Sequence, residues 1–252
     1  LGKRTLEEAA KMASAVDVRM LTQSRLATNI TNGIIHAFKE YDASEIIMGL
    51  HEKKTDGDKF WGIFTPDLVN QLNRQIILCR CNRPLNTLRR ILVAVPSRVE
   101  FEQGFYRWIE RLARLAENLS CRIIFHGRIE STSLINEYIR NQHPGVRAEY
   151  VLMEHWKEFT QLAQQMSSDH MLVVISARQG TVSYKPVFER LPLELYRHYH
   201  EHNLMVVFPD QNGQSPEDMT FTAPQHHSVD SAYSSIVNWV MNKIDKGRSD
   251  AS

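Results

Sequence analysis

The sequence predicts an α/β fold made of two tandem lobes with parallel five-stranded sheets, the first lobe lacking its opening elements, followed by a C-terminal helix. Three observations predict it. Short apolar runs alternate with amphipathic helical stretches, the pattern of a parallel sheet with crossover helices. The order of elements over residues 1–80 repeats the later part of the order over 90–209. Val229 to Lys246 carries Val229, Tyr233, Ile236, Val240 and Ile244 on one helical stripe.

The second lobe is the clearer copy. Ile91–Val95 reads as a buried strand ended by Pro96-Ser97, and Phe101 to Leu119 as a helix with Phe105, Trp108, Ile109, Leu112, Leu115 and Ala116 on one face. The next strand is Cys121 to Phe125, and a helix follows from about Ser131 to Asn141 until His143-Pro144-Gly145 breaks the chain. A strand (Glu149 to Met153), a helix (Trp156 to Met166), the strand Met171 to Ile175, a short helix (Pro192 to Tyr199) and the strand Leu204 to Phe208 complete five strands.

In the first lobe, Thr5 to Ala15 is a helix, Val18 to Thr22 a strand and Asn29 to Tyr41 a helix. Glu45 to Met48 is a strand, Pro66 to Asn73 a helix and Gln75 to Cys79 a strand. The expected domains are 1–80 (first lobe, incomplete), 81–89 (linker), 90–209 (second lobe) and 210–252 (polar loop and amphipathic helix). That last helix is read as docking on the chain's own sheet or on a second copy.

Composition narrows the function. The chain has 252 residues, 42% of them hydrophobic and 23% charged, so it can bury a core. Thirty basic residues against 29 acidic ones leave no broad electrostatic footprint for nucleic acid. Three cysteines suit a reducing compartment. No apolar run approaches the roughly 20 residues of a membrane span, so no membrane insertion of this stretch is expected. The start at Leu1, with no initiator Met, is read as that of a fragment.

No Gly-x-Ser-x-Gly elbow and no His-Glu-x-x-His pair occurs, and the chain is expected not to be an enzyme. Gly2-Lys3-Arg4-Thr5 has the wrong spacing for the end of a phosphate-binding loop and reads as a helix start. His198 and His202 share a helical face and could grip zinc, yet four converging ligands are the norm, so a helix end stabilised by histidine is preferred and no metal is expected. Cys79 and Cys81 point the same way on a strand, and the better reading is a buried strand end. Arg74, Arg80, Arg83, Arg89 and Arg90 read as a solvated linker, since no aromatics interleave them.

The doubled element order resembles tandem universal stress protein domains. The loop after the fourth strand of lobe one sharpens the likeness, because the ATP-binding loop of that family reads Gly, two residues, Gly, nine residues, Gly, then Ser or Thr. Met48-Gly49-Leu50-His51-Glu52, nine residues, then Gly62-Ile63-Phe64-Thr65 keeps the spacing, with Glu52 in place of the second Gly and Ile63 in place of the hydroxyl residue. The resemblance implies Gly49, His51, Gly62 and Thr65 as residues that would hold ATP or another adenine nucleotide, by backbone approach and a helix dipole. Glu52 would put negative charge at the phosphate, and an ordinary polar loop is the competing reading. In lobe two, Ser176, Gln179 and Glu189 stand at the glycine positions and Pro96 at the adenine-holding acid, implying no ATP site there.

The whole chain also resembles the cytosolic C-terminal region of bacterial sodium:proton or cation:proton antiporters. This implies a regulatory or sensory module on the cytoplasmic side of the inner membrane, partnered by the transmembrane portion of its parent and by a second copy. The alternatives are a free-standing ATP-binding stress protein and an adenine-nucleotide hydrolase-type enzyme. The family's strand order, 3-2-1-4-5, would leave Val18–Thr22 without a neighbour linking it to Glu45–Met48, so about 50 to 60 upstream residues, or another chain, are expected to fill the gap.

Overall fold

The computed structural model describes residues 2–50, 60–62 and 65–211. The chain divides into two compact units, Leu1–Ala43 and Ser44–Ser252.

In the first unit, helices α1 (Gly2–Ala15) and α2 (Ile30–Glu40) flank an irregular segment. Asn29 caps α2 by accepting a hydrogen bond from the Asn32 amide at 3.1 Å. Gly33 is required there, since a Cβ would come within 2.9 Å of the Ala27 Cβ. Val18–Thr22 is expected to be a strand and is not one: it forms no ladder, and Val18, Met20 and Leu21 are exposed. The physical reason lies in the strand order. No described strand pairs with it, and an exposed stretch without a ladder partner has only solvent to meet its N–H and C=O groups.

In the second unit the described strands are β1 (Glu45–Gly49), β2 (Gln75–Arg80), β3 (Arg90–Ala94), β4 (Arg122–Gly127), β5 (Ala148–Leu152), β6 (His170–Ile175) and β7 (Asn203–Phe208). They form one seven-stranded sheet in the order β1-β2-β7-β6-β3-β4-β5. All neighbours are parallel except β2 and β7. Strand β3, predicted as the middle of a parallel sheet, lies between β4 and β6, and the second lobe reads β5-β4-β3-β6-β7, the expected 3-2-1-4-5 winding.

Helices α4 (Phe105–Asn118) and α5 (Ile129–Gln142) supply Phe105, Trp108, Ile109, Leu112, Ile135 and Ile139 to a core shared with Ile91, Val93, Phe125 and Val173 of the sheet. The opposite sheet face (Leu92, Ala94, Leu172, Val174, Val206) is buried too, which is why these strands read as continuous apolar runs rather than alternating ones. Helix α3 (Thr65–Gln71) precedes β2, and α6 (Leu191–Tyr199) precedes β7. The predicted helix from Trp156 is a 3₁₀ segment, Trp156–Gln165, anchored by a capping box between His155 and Glu158. The predicted C-terminal helix, Val229 to Lys246, lies outside the described residues.

The antiparallel β2–β7 pair joins the lobes. Leu78 faces Val206, flanked by Ile77–Val207 and Cys79–Met205, so the register is that of a local two-fold axis through the central pair. The outer strands obey the same symmetry. The Leu50 amide donates to the Cys79 carbonyl at 2.7 Å, and the Ser176 amide to the Val207 carbonyl at 2.8 Å. This register aligns Gly49 with Ile175 and Leu50 with Ser176, one residue away from the alignment by loop spacing.

Candidate functional site

The loop predicted to bind nucleotide begins at the open end of β1. Gly49 ends that strand, opposite Cys79, and a Cβ built on it meets nothing within 4 Å. The protein's own packing therefore does not require glycine there. Gly62 does require it, with φ of 78°. Thr65 opens α3 and is buried, whereas His51 lies outside the described residues. The Trp61 ring, beside Gly62, packs edge-on against Phe208 with centroids 5.9 Å apart. Phe208 is paired with Ile76, three residues down β2 from Cys79, so the two ends of the loop are tied to opposite ends of that strand, roughly 10 Å apart.

In an open α/β sheet the ligand crevice lies at the carboxyl ends of the strands where the winding reverses. In lobe two that is the gap between β3 and β6, and a side chain of the chain itself bridges its two sides. The Oε1 of buried Glu102 accepts hydrogen bonds from the Ser183 amide at 3.0 Å and the Ser183 hydroxyl at 2.6 Å, tying the loop after β6 to the segment after β3. Buried Arg178 donates to three main-chain carbonyls: Val69 through Nε at 3.2 Å, Arg74 through Nη2 at 2.5 Å, and Pro209 through Nη1. Its guanidinium sits 6.0 Å from the Phe208 ring centroid. Burial pulls its pKa down to about 10, while Asp210 and Glu102 push the other way. Asp210 in turn accepts from Arg107 at 2.7 Å and lies 3.8 Å from Arg74.

These contacts belong to a pair of reciprocal latches. Beyond β7, the Gln211 amide donates to the Asn73 carbonyl at 2.7 Å, where the chain enters β2. Beyond β2, Arg83 and Asn203 exchange two hydrogen bonds (2.9 and 3.0 Å), and Asn82 donates to His200 at 3.0 Å. Arg80 caps the Tyr199 carbonyl at 2.9 Å. Each lobe's exit thus satisfies orphan carbonyls at the end of the other lobe's last helix. Arg74 is buried and the Arg80 side chain holds the Tyr199 carbonyl across the seam, which corrects the reading of these two as solvated linker, whereas Arg83, Arg89 and Arg90 are exposed. A sequence signal existed, since basic residues at a helix C-terminus are candidate carbonyl caps, but nothing local identifies which helix they cap.

His198 pairs with Glu194 at 3.4 Å and His200 with Glu201 at 3.7 Å. The thiol of Cys79 is pushed up to about 12 by burial and by the nearby Cys81. At the mouth of the lobe-two crevice, Lys185 has its pKa lowered by burial and then by the charges of Arg128 and Arg98. Sequence reasoning missed this cationic trio, because its members are scattered over three loops. Arg98 holds a left-handed conformation, φ 67°, at the turn after β3.

No protein-family model matches the chain, and no curated protein matches it in sequence. Solved structures do share its fold. A universal stress protein from Archaeoglobus fulgidus superposes with a TM-score of 0.55 at 15% identity, over 81% of this chain and 77% of that one. A functionally unknown protein from Pseudomonas aeruginosa PAO1 and a putative universal stress protein from P. aeruginosa UCBPP-PA14 each give a TM-score of 0.47 at 17% identity, over 83% of this chain and 79% of theirs. The fold is universal stress protein-like.

Proposed function

We propose that the chain is a non-catalytic regulatory module of the universal stress protein type, serving as the cytosolic part of a membrane cation:proton antiporter. The observation that carries the non-catalytic part is the Glu102–Ser183 bridge across the switch point of lobe two. A site that turns over substrate needs concave space for it, and here the hydrogen bonds from Ser183 to buried Glu102 tie the two sides of the switch point together. The antiporter part rests on the resemblance of the whole sequence to such cytosolic regions. Regulation would act through the two-lobe seam, where a ligand that prefers one arrangement of the latches shifts the equilibrium between arrangements.

Two measurements test this. The coding sequence upstream of Leu1 is expected to contain a series of apolar spans, and a start codon immediately upstream overturns the antiporter assignment. The chain is expected to show no ATP turnover with any divalent metal, and metal-dependent hydrolysis overturns the non-catalytic one.

A second reading is a free-standing ATP-binding stress protein, favoured by the trio of Lys185, Arg98 and Arg128, whose charges suit a phosphate chain, and by the open space at Gly49. Calorimetric titration with ATP separates the lobes. Binding abolished by Gly49→Ala, whose Cβ meets nothing within 4 Å, puts the nucleotide in lobe one. Binding abolished by Lys185→Gln puts it in lobe two.

A further inference from the structure

At the opposite, amino-terminal edge of the sheet, away from the crevice, four arginines line one cleft. It has a volume of about 350 Å³ and is bounded by Leu88, Arg89, Arg90, Ser120, Arg122 and Arg147. The sheet itself enforces this arrangement. Arg90 and Arg122 are cross-strand partners on β3 and β4, and parallel neighbours of this kind lie about 4.8 Å apart with side chains on one face. The Arg122 amide donates to the Arg89 carbonyl, and the Ile123 amide to the Arg147 carbonyl, each at 3.0 Å, which draws all four positions to one end of the sheet.

Among the described residues two carboxylates offset them: Glu149 pairs with Arg122 at 2.8 Å, and Asp169 lies 3.7 Å from Arg89. Arg147 uses one nitrogen to hold the Ser120 carbonyl at 2.7 Å. Ser120 itself has φ of 51°, a strained conformation for a residue with a Cβ, which closes the turn beneath the cleft. A local excess of two positive charges gathers in one concave spot of a chain whose formal net charge is +1. Like charges crowded on adjacent strands repel, so a bound anion would relieve the cluster. The planar fork of arginine matches phosphate oxygens two at a time.

We propose that this amino-edge cleft is a binding site for a phosphoanion, with Arg90 and Arg122 as its principal contacts and Arg89 and Arg147 completing the cradle. The phosphate group is the chemistry it recognises, whether free in solution or displayed by a lipid headgroup.

The test is calorimetric titration of the full chain with inorganic pyrophosphate at low salt, followed by sedimentation with phosphatidate-containing vesicles. Wild type is expected to bind pyrophosphate, and Arg90→Gln and Arg122→Gln each to weaken it about tenfold. Glu149→Gln, which removes a competing carboxylate, is expected to tighten it severalfold. That gain is one that damage to the fold could not produce. Vesicle binding that Arg90→Gln abolishes identifies a headgroup as the source, and its absence beside retained pyrophosphate binding identifies a soluble anion. No pyrophosphate binding by wild type overturns the proposal. So does binding indifferent to Arg90→Gln, or binding lost on Lys185→Gln instead, which would place the anion in the crevice at the other edge.

Discussion

Strands β1 and β6 hold the same place in their lobes, each registered on a final strand through an equivalent hydrogen bond, yet they live in different environments. All six residues of β6 are buried. In β1 none is, and Ile47 is 65% exposed while Val173, its counterpart by register, is fully covered. The two sequences, Glu45-Ile-Ile-Met-Gly49 and His170-Met-Leu-Val-Val-Ile175, are both apolar enough for a core strand. The difference comes from the far side: β6 has β3 as its second neighbour, and β1 has none among the described residues. Burial of a parallel strand is thus conferred by its partners and crossover helices rather than by its own composition.

Four perturbations can break or sharpen this contrast. The largest effect is expected at the seam, which belongs to both lobes. Arg178→Met removes the donor to three carbonyls and leaves them buried and unpaired, costing about 3–5 kcal/mol in urea denaturation. A loss below about 1 kcal/mol would mean the latch is decorative. Next comes Gly104→Ala, whose Cβ would stand 2.4 Å from the Asp210 carbonyl oxygen and 2.5 Å from its nitrogen. Main chain must move to admit it, at about 2–3 kcal/mol by the same measurement, and the 2.7 Å Arg107–Asp210 pair should loosen with it.

The third perturbation probes the comparison directly. Val173→Ala should cost about 2 kcal/mol as a core truncation, and Ile47→Ala under about 0.5 kcal/mol as an exposed one. Equal losses would show that β1 is covered in solution.

The smallest concerns pH. The Glu110 carboxyl is held down to about 2, first by its hydrogen bond with His143 (2.6 Å) and further by Arg114 and Tyr138, against a smaller opposing effect of burial. A depressed carboxylate stabilises the fold above its unfolded value, and that contribution fades as pH falls from about 4.5 towards about 2. Glu110→Gln should flatten this part of the stability profile, read as denaturation midpoints across the acid range; an unchanged slope would count against the pairing.

Much of the second lobe was legible in the sequence because its signals are local. The run Ile91–Val95, bounded by Pro96, could only be a buried strand, and the apolar stripe of Phe105, Trp108, Ile109 and Leu112 could only be a helix facing it. Val18–Thr22 shows the limit of that logic: its composition suits a strand, but a strand exists only when something pairs with it, and a one-dimensional pattern does not contain the neighbour. The antiparallel junction was invisible for the same reason, since β2 and β7 carry no mark of which edge they present. At the candidate loop, spacing located Gly49 and Gly62, and the structure separates their roles, one required by backbone angle and the other not. The arginines were visible as a run along the chain, whereas their division into seam residues (buried Arg74 and half-buried Arg80) and a cleft (Arg89 and Arg90 with Arg122 and Arg147) depends on topology alone.

The reciprocal seam also bears on how the molecule is made. Its hydrogen bonds connect residues as far apart along the chain as Asn73 and Gln211, so during synthesis β2 emerges long before the strand that will shield its edge. Contacts so distant along the chain form slowly, because loop closure must be accomplished before they are rewarded. Until β7 arrives, the apolar Gln75–Arg80 ribbon is a sticky intermediate, and the pace of translation through the second half becomes a determinant of yield.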